Sequence, residues 1–208
     1  MTRPSLATRH GSAVVTLPSD REILITRRFD APAALVFRAW TTPDYVRRWW
    51  GSDDAPLVVC DIDLRVGGSW RYVTRDGGGT ELGWHGTYRG IDEPNRIVTT
   101  EVFEGYPDGE ALDTLTLHEE DGVTEMRILV LHSSRENRDG HIASGMEAGM
   151  QVVMDRLEDL VRESAHPDTN NSLRDAAVDD PETKDPEMQD PEMQTTETQG
   201  ASGREASR

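Results

Sequence analysis

Apolar and polar residues alternate along this chain with two different periods, and the changes of period mark out its elements. Arg21 to Phe29 is rich in β-branched and aromatic residues and reads as a strand. Asp30-Ala31-Pro32 then offers an acidic cap residue and a proline for a first helical turn, and Ala33, Val36, Phe37 and Trp40 follow on one face at helical spacing. Thr42-Pro43 repeats that signal and opens a second short helix carrying Val46, Trp49 and Trp50, which Gly51 stops.

Beyond Pro56 the period falls to two. Val58, Cys60 and Ile62 alternate with Val59, Asp61 and Asp63, and further strands recur between turn signals at Gly67-Gly68, Asp76-Gly77-Gly78-Gly79, Glu93-Pro94-Asn95, Tyr106-Pro107-Asp108-Gly109 and Asp121-Gly122. This spacing predicts an antiparallel meander. Trp70, Tyr72 and Thr74 share one face, as do Leu82, Trp84, Gly86 and Tyr88 on the next strand and Met126, Ile128, Val130 and His132 on the last. Between Arg96 and Glu104 the phase is ambiguous, because Val98 and Val102 compete with Ile97 and Phe103 for the inner face. Finally Ile142, Met146, Gly149, Met150, Val153, Leu157, Leu160 and Val161 fall on one stripe of about five turns, the pattern of a long helix docked on the sheet. Gly145 and Gly149 in that stripe each cost about 1 kcal/mol against alanine, so they suggest close backbone approach or room left for a ligand.

Composition changes the picture at the two ends. From Ser164 onward there are no aromatics, and the five residues Asp185 to Gln189 are repeated as Asp190 to Gln194, so 164–208 is expected to be a disordered, acidic, proline-rich tail. Residues 1–19 are read as a shorter flexible segment, leaving 20–163 as one α+β domain. The 208 residues carry a net charge of −17, with Lys+Arg 22 against Asp+Glu 39, which leaves no basic footprint for nucleic acid. One cysteine, Cys60, rules out an internal disulfide, and the absence of an apolar run or signal-like N-terminus makes the cytoplasm the expected location.

The segments RRFDAPAALVFRAWTTPDYVRRWWG, VCDIDLRVGGSWRY, GTYRGIDEPNRIV and GMEAGMQVVMDRLEDLV, in that order, resemble the START-related SRPBCC superfamily. Within it they are most similar to the branch of the C-terminal domain of activators of the heat-shock chaperone ATPase. The resemblance covers nearly all of residues 21–163 and departs from the pattern at Ser52, where relatives usually carry proline. It implies a helix-grip (START-like, Bet v-like) fold: strand, two short helices, six strands and one long helix enclosing an apolar cavity.

The chemistry legible beside that resemblance is sparse. The six histidines form no metal-binding spacing, and Gly77-Gly78-Gly79 opens no helix, so neither a metal, a cofactor nor a nucleotide is expected. Cys60 lies on an apolar face, and Ser133-x-x-Glu136 reads as a capping box at the entry to the long helix, so neither is an activated nucleophile and no catalytic residue is assigned. His132 continues an inward run from which it would meet Glu101 or Tyr88, although a lone inward histidine is most simply a hydrogen-bonded core residue. In a helix-grip fold Trp49, Trp50, Trp70, Tyr72, Trp84 and Tyr88 would line or cover the pocket, or serve as ordinary core. Met146, Gly149, Met150 and Val153 would face them from the helix.

Three functions follow in order of expectation. The superfamily implies a small hydrophobic ligand in the cavity; the nearest branch implies a co-chaperone-like module acting on a heat-shock chaperone ATPase; a cavity enzyme of cyclase or hydrolase type comes third. A monomer or homodimer is expected. Because the tail has almost nothing to bury, deleting residues 166–208 should move the thermal midpoint by no more than about one or two degrees. A fall of about ten degrees would show that it docks.

Overall fold

The computed structural model describes residues 13–165; most of the expected acidic tail, and the first part of the expected N-terminal segment, lie outside the described residues. Eight antiparallel strands form one curved sheet: β1 (Val14–Thr16), β2 (Glu22–Phe29), β3 (Leu57–Ile62), β4 (Ser69–Arg75), β5 (Glu81–Asp92), β6 (Arg96–Phe103), β7 (Ala111–Glu120) and β8 (Val123–His132). Their order is β1-β2-β8-β7-β6-β5-β4-β3, so β3 to β8 are a plain meander and β2 closes beside β8. Each of the five turn signals falls between two consecutive strands of that meander. At the glycine-rich one, Oδ1 of Asp76 accepts from the backbone N–H groups of Gly78 (2.9 Å) and Thr80 (2.8 Å), which closes a hairpin.

Helices α1 (Ala33–Thr41) and α2 (Pro43–Trp49) connect β2 to β3. Their start signals act differently from expectation. Pro32, not Asp30, is the cap residue of α1, and the free N–H of Ala33 is met by the carboxylate of Glu119 reaching over from β7 (2.8 Å). Thr42 caps α2 by its backbone, with Pro43 in the first turn as read.

The long C-terminal stripe is two helices. The first, α3 (Arg135–Ala143), is capped by Ser134, which accepts from the N–H of Asn137; the capping box placed at Ser133 is therefore one residue out of register. Gly145, with φ of 82°, ends that helix in the left-handed region and α4 (Met146–Ala165) starts afresh. Ile142 thus belongs to α3 and is exposed. On α4 the buried stripe is Met150, Met154, Leu157, Leu160 and Val161, each burial contributing about 1.5–3 kcal/mol. Met146 and Val153 pack at its margin.

Two polar links fix α4 on the sheet. Arg27 stands in the inward phase of β2, between Ile25 and Phe29, and its guanidinium pairs with Asp155 at 2.7 Å and with Glu158. Gln151 donates from Nε2 to the carbonyl of Ala13 (2.7 Å) while its Oε1 accepts the Ala13 N–H (3.0 Å). That second link corrects the lower domain boundary. Ala13 and Val15 are buried and β1 pairs with β2 from Val14↔Thr26 to Thr16↔Leu24, so the ordered domain begins before residue 20. A three-residue alternation is too short to stand out in the sequence, but it suffices when one strand edge and one helical amide wait for it.

Two glycines bear on the packing in opposite ways. A Cβ on Gly86 would lie 1.7 Å from the Thr100 carbonyl oxygen and 2.6 Å from Nε1 of Trp70, so the backbone approach there requires glycine. Gly149 is exposed on α4 and a Cβ there would meet nothing within 4 Å; it neither touches the sheet nor faces a cavity. Gly149→Ala should therefore stabilise by about 1 kcal/mol in a denaturant melt, whereas Gly86→Ala should destabilise by about 1–3 kcal/mol or more.

Candidate functional site: an aromatic cavity with two carboxyls

Where α1 and α2 meet the concave face of the sheet, a cavity of about 60 Å³ is left. By the space a buried water needs, this is room for roughly four to six waters, or for a ligand head of a few heavy atoms. Its roof is Trp40 of α1 and Trp50 just past α2; β4 supplies Trp70 and Tyr72, and β5 supplies Tyr88. The floor comes from Ile97, Thr99 and Glu101 of β6, Asp113 and Leu115 of β7, and Ile128 of β8. The phase ambiguity of β6 thus resolves in favour of Ile97 and Phe103 as inward residues, the latter stacking on Trp84 at 5.5 Å.

The rings form one connected set. Trp50 packs edge-on against Trp84 at 6.0 Å and tilts over Tyr72 at 5.1 Å, and Tyr72 in turn meets Trp70 at 4.9 Å. The indole N–H of Trp70 donates to Oγ1 of Thr99 at 2.7 Å, so its donor is occupied and only its ring is offered to the cavity.

The acids are the unusual part. Thr99 lies directly opposite Asp113 and Glu101 opposite Ala111, which makes Glu101 and Asp113 diagonal neighbours on the inner face. Both residues are half-buried and both line the cavity. Oδ1 of Asp113 is enclosed with no hydrogen-bond partner among the described residues. Desolvation raises the Glu101 carboxyl to about 7, and desolvation together with the nearby Glu101 charge holds Asp113 well above the usual carboxylate range. The same burial and the charge of each acid on the other favour the neutral form of the pair. Burial likewise pushes the Tyr88 and Tyr72 hydroxyls above the usual phenol range.

The expected cavity residues separate cleanly. Trp50, Trp70, Tyr72, Tyr88 and Glu101 line the space, and Trp84 supports Trp50 from behind. Trp49 is core: it is 1% exposed and its Nε1 donates to the Ala39 carbonyl at 2.9 Å. His132 shares the inner face with Glu101 but stands two strands away across Ala111, with its Nε2 3.2 Å from Nδ1 of His141, and burial pushes it down to about 4. Met146, Gly149, Met150 and Val153 do not reach the cavity, because α4 packs beside it against α1 and α2. Cys60 is a buried thiol raised to about 11, chiefly by desolvation. Among the described residues no group of three or more His, Cys, Asp or Glu side chains is placed to hold a metal, and no helix is long and apolar enough to cross a membrane.

The expected set lacks Trp40, Ile97, Thr99, Leu115 and Ile128 of the lining and, of most chemical weight, Asp113. The inward phase of β7 reads Ala111, Asp113, Leu115, Leu117, and an acid in the apolar phase of an alternating strand was a legible signal.

The sequence pattern of the family described as "Activator of Hsp90 ATPase homolog 1-like protein" matches residues 30–162. The chain belongs to this family. Its fold recurs in the crystal structure of a Rhodobacter sphaeroides protein, 25% identical, which covers 73% of this chain and 98% of its own with a TM-score of 0.69. A Mycobacterium smegmatis protein, Ms6760, is 22% identical over 76% of this chain and 96% of its own, with a TM-score of 0.64. The solution structure of an AHSA1-like protein from Aeromonas hydrophila is 21% identical over 68% of this chain and 93% of its own, with a TM-score of 0.53. A search of curated proteins finds no match.

As a member of the AHSA1-like family this chain carries its acid pair inside the matched region, and the pair sets a pH signature. A carboxyl whose folded value lies above its unfolded one favours folding only while protonated, so its contribution is lost as pH rises from about 4.5 through about 7. His132 acts oppositely, losing stability as pH falls from 6.5 towards about 4, so the two partly cancel in the parent. The difference between Glu101→Gln and the parent isolates the acid: the variant should gain relative stability as pH rises from about 4.5 to about 7, by up to about 1.4 kcal/mol per pH unit, and level off above. A pH-independent difference in melting would contradict this.

Proposed function

We propose that this chain binds a small ligand in the aromatic cavity beneath Trp50. The observation that carries the reading is the pair of carboxyls in its wall. A core shaped for stability alone would place apolar side chains at 101 and 113, since an unpaired buried acid costs stability and Oδ1 of Asp113 has no donor among the described residues. Aromatic walls with a few convergent polar groups are the usual make-up of a small-molecule site. The volume supports a compact ligand, or the head of a larger one, in place of the lipid-like occupant that the fold alone suggests. Native mass spectrometry of freshly purified full-length protein, with titration of a small apolar probe against tryptophan emission, tests this. Saturable quenching that Trp50→Ala abolishes is the expected result; a folded parent that quenches with no probe and retains no small molecule would remove the basis for the proposal.

A co-chaperone-like role is the second reading, supported by the family description over residues 30–162. Added to a purified heat-shock chaperone from its host, the protein is expected to leave ATP turnover little changed. Several-fold stimulation that grows with its concentration would rank this reading first.

A further inference from the structure

The ligand site can be assigned a charge. We infer that the cavity takes a small organic ammonium ion, a primary or secondary amine on a compact apolar body, with its N–H groups on the Glu101 and Asp113 carboxyls and its charge among the surrounding rings. This rests on the proposed ligand site and adds the chemical class that fills it.

Four observations converge. The wall holds two carboxyls and no arginine, lysine or histidine, so nothing in the cavity balances an ionised pair. Among the described residues the enclosed Oδ1 of Asp113 lacks a donor, and the indole N–H of Trp70 on the wall is spent on Thr99. Trp50, Trp70, Tyr72 and Tyr88 surround the acids with π-systems that attract a desolvated cation. A carboxylate or phosphate ligand would meet two acids and no cation, whereas a neutral alcohol would satisfy one acceptor and leave the pair's charge uncompensated. An ammonium group supplies both the donors and the countercharge. The space of about 60 Å³ suits such a head.

Binding is then linked to protons, because the cation must displace the proton that the empty pair holds. The ionisable groups facing the pair are Tyr72 from β4 and Tyr88 from β5, with Cys60 on β3 behind them. All three are pushed up by burial and stay uncharged through neutrality. On β8 the wall is Ile128, while His132, opposite Ala111, is engaged with His141.

The full-length protein is titrated with benzylammonium, benzyl alcohol and benzoate at about pH 8, following tryptophan emission and heat. The amine is expected to saturate at least about tenfold more tightly than the alcohol, and benzoate not to bind. Lowering the pH to about 6 should weaken the amine about tenfold and leave the alcohol unchanged. Glu101→Gln should lose about tenfold for the amine while keeping the alcohol; Asp113→Asn serves the same purpose if the first variant does not fold. Alcohol binding as tight as the amine, or an amine affinity flat with pH, overturns the ammonium assignment and leaves the ligand site standing. Failure of all three probes with a folded protein overturns the site and the assignment together.

Discussion

One concave sheet face, with too little helix to cover it, governs this molecule. The sheet presents its inward phase to the helices, and α4, which at 20 residues is about 30 Å long, is held by a stripe of methionine, leucine and valine together with the clamp from Arg27 to Asp155 and Glu158. That clamp fixes the helix nearer the β2 side, and α1 and α2 bridge the rest. The cavity is what remains between those short helices and β4 to β8, and the large rings of Trp50, Trp70 and Tyr72 are the side chains able to span the gap. Packing of the helices therefore comes first and the site is its residue.

Within that space the energetics of the acids and of the rings are opposed. Ring burial favours a closed, dry cavity, while two desolvated carboxyls favour water, a proton or a cation. Desolvation favours the neutral form of both acids, whereas exposed Glu104, bonded to Arg71 on the outer face, is lowered. The histidine pair where the end of β8 meets α3 shows the same desolvation acting on a base, with His132 and His141 both lowered. Fold stability and site chemistry are therefore read with the same variable, pH, but with opposite signs at the two places.

Most of the fold was legible because it rests on local rules: period-two alternation for β4, β5 and β8, and turn residues between every pair of meander strands. What escaped depended on partners remote in sequence. The start of α1 is completed by Glu119, and β1 exists because Gln151 receives Ala13. The break at Gly145 was hidden by an apolar stripe that continues in phase across it. For the site, the aromatics of β4 and β5 were readable from their phase, whereas Trp49 and Trp50, adjacent in sequence, could not be told apart until α2 ended between them. The residues assigned from α4 were wrong for one reason: a helix stripe shows that a face is buried, but not whether it is buried against protein or against a void.

The sheet stays open, and its two free edges differ in kind from its face. One edge is β1, three residues long; the other is β3, irregular in register between Leu57 and Val59 and bearing Asp61 towards its end. A short strand and a bulged, acid-bearing one are poor templates for backbone pairing with a further chain. Strand addition, the route by which many sheet proteins acquire extended peptides and also the route by which they aggregate, is thereby disfavoured at both ends.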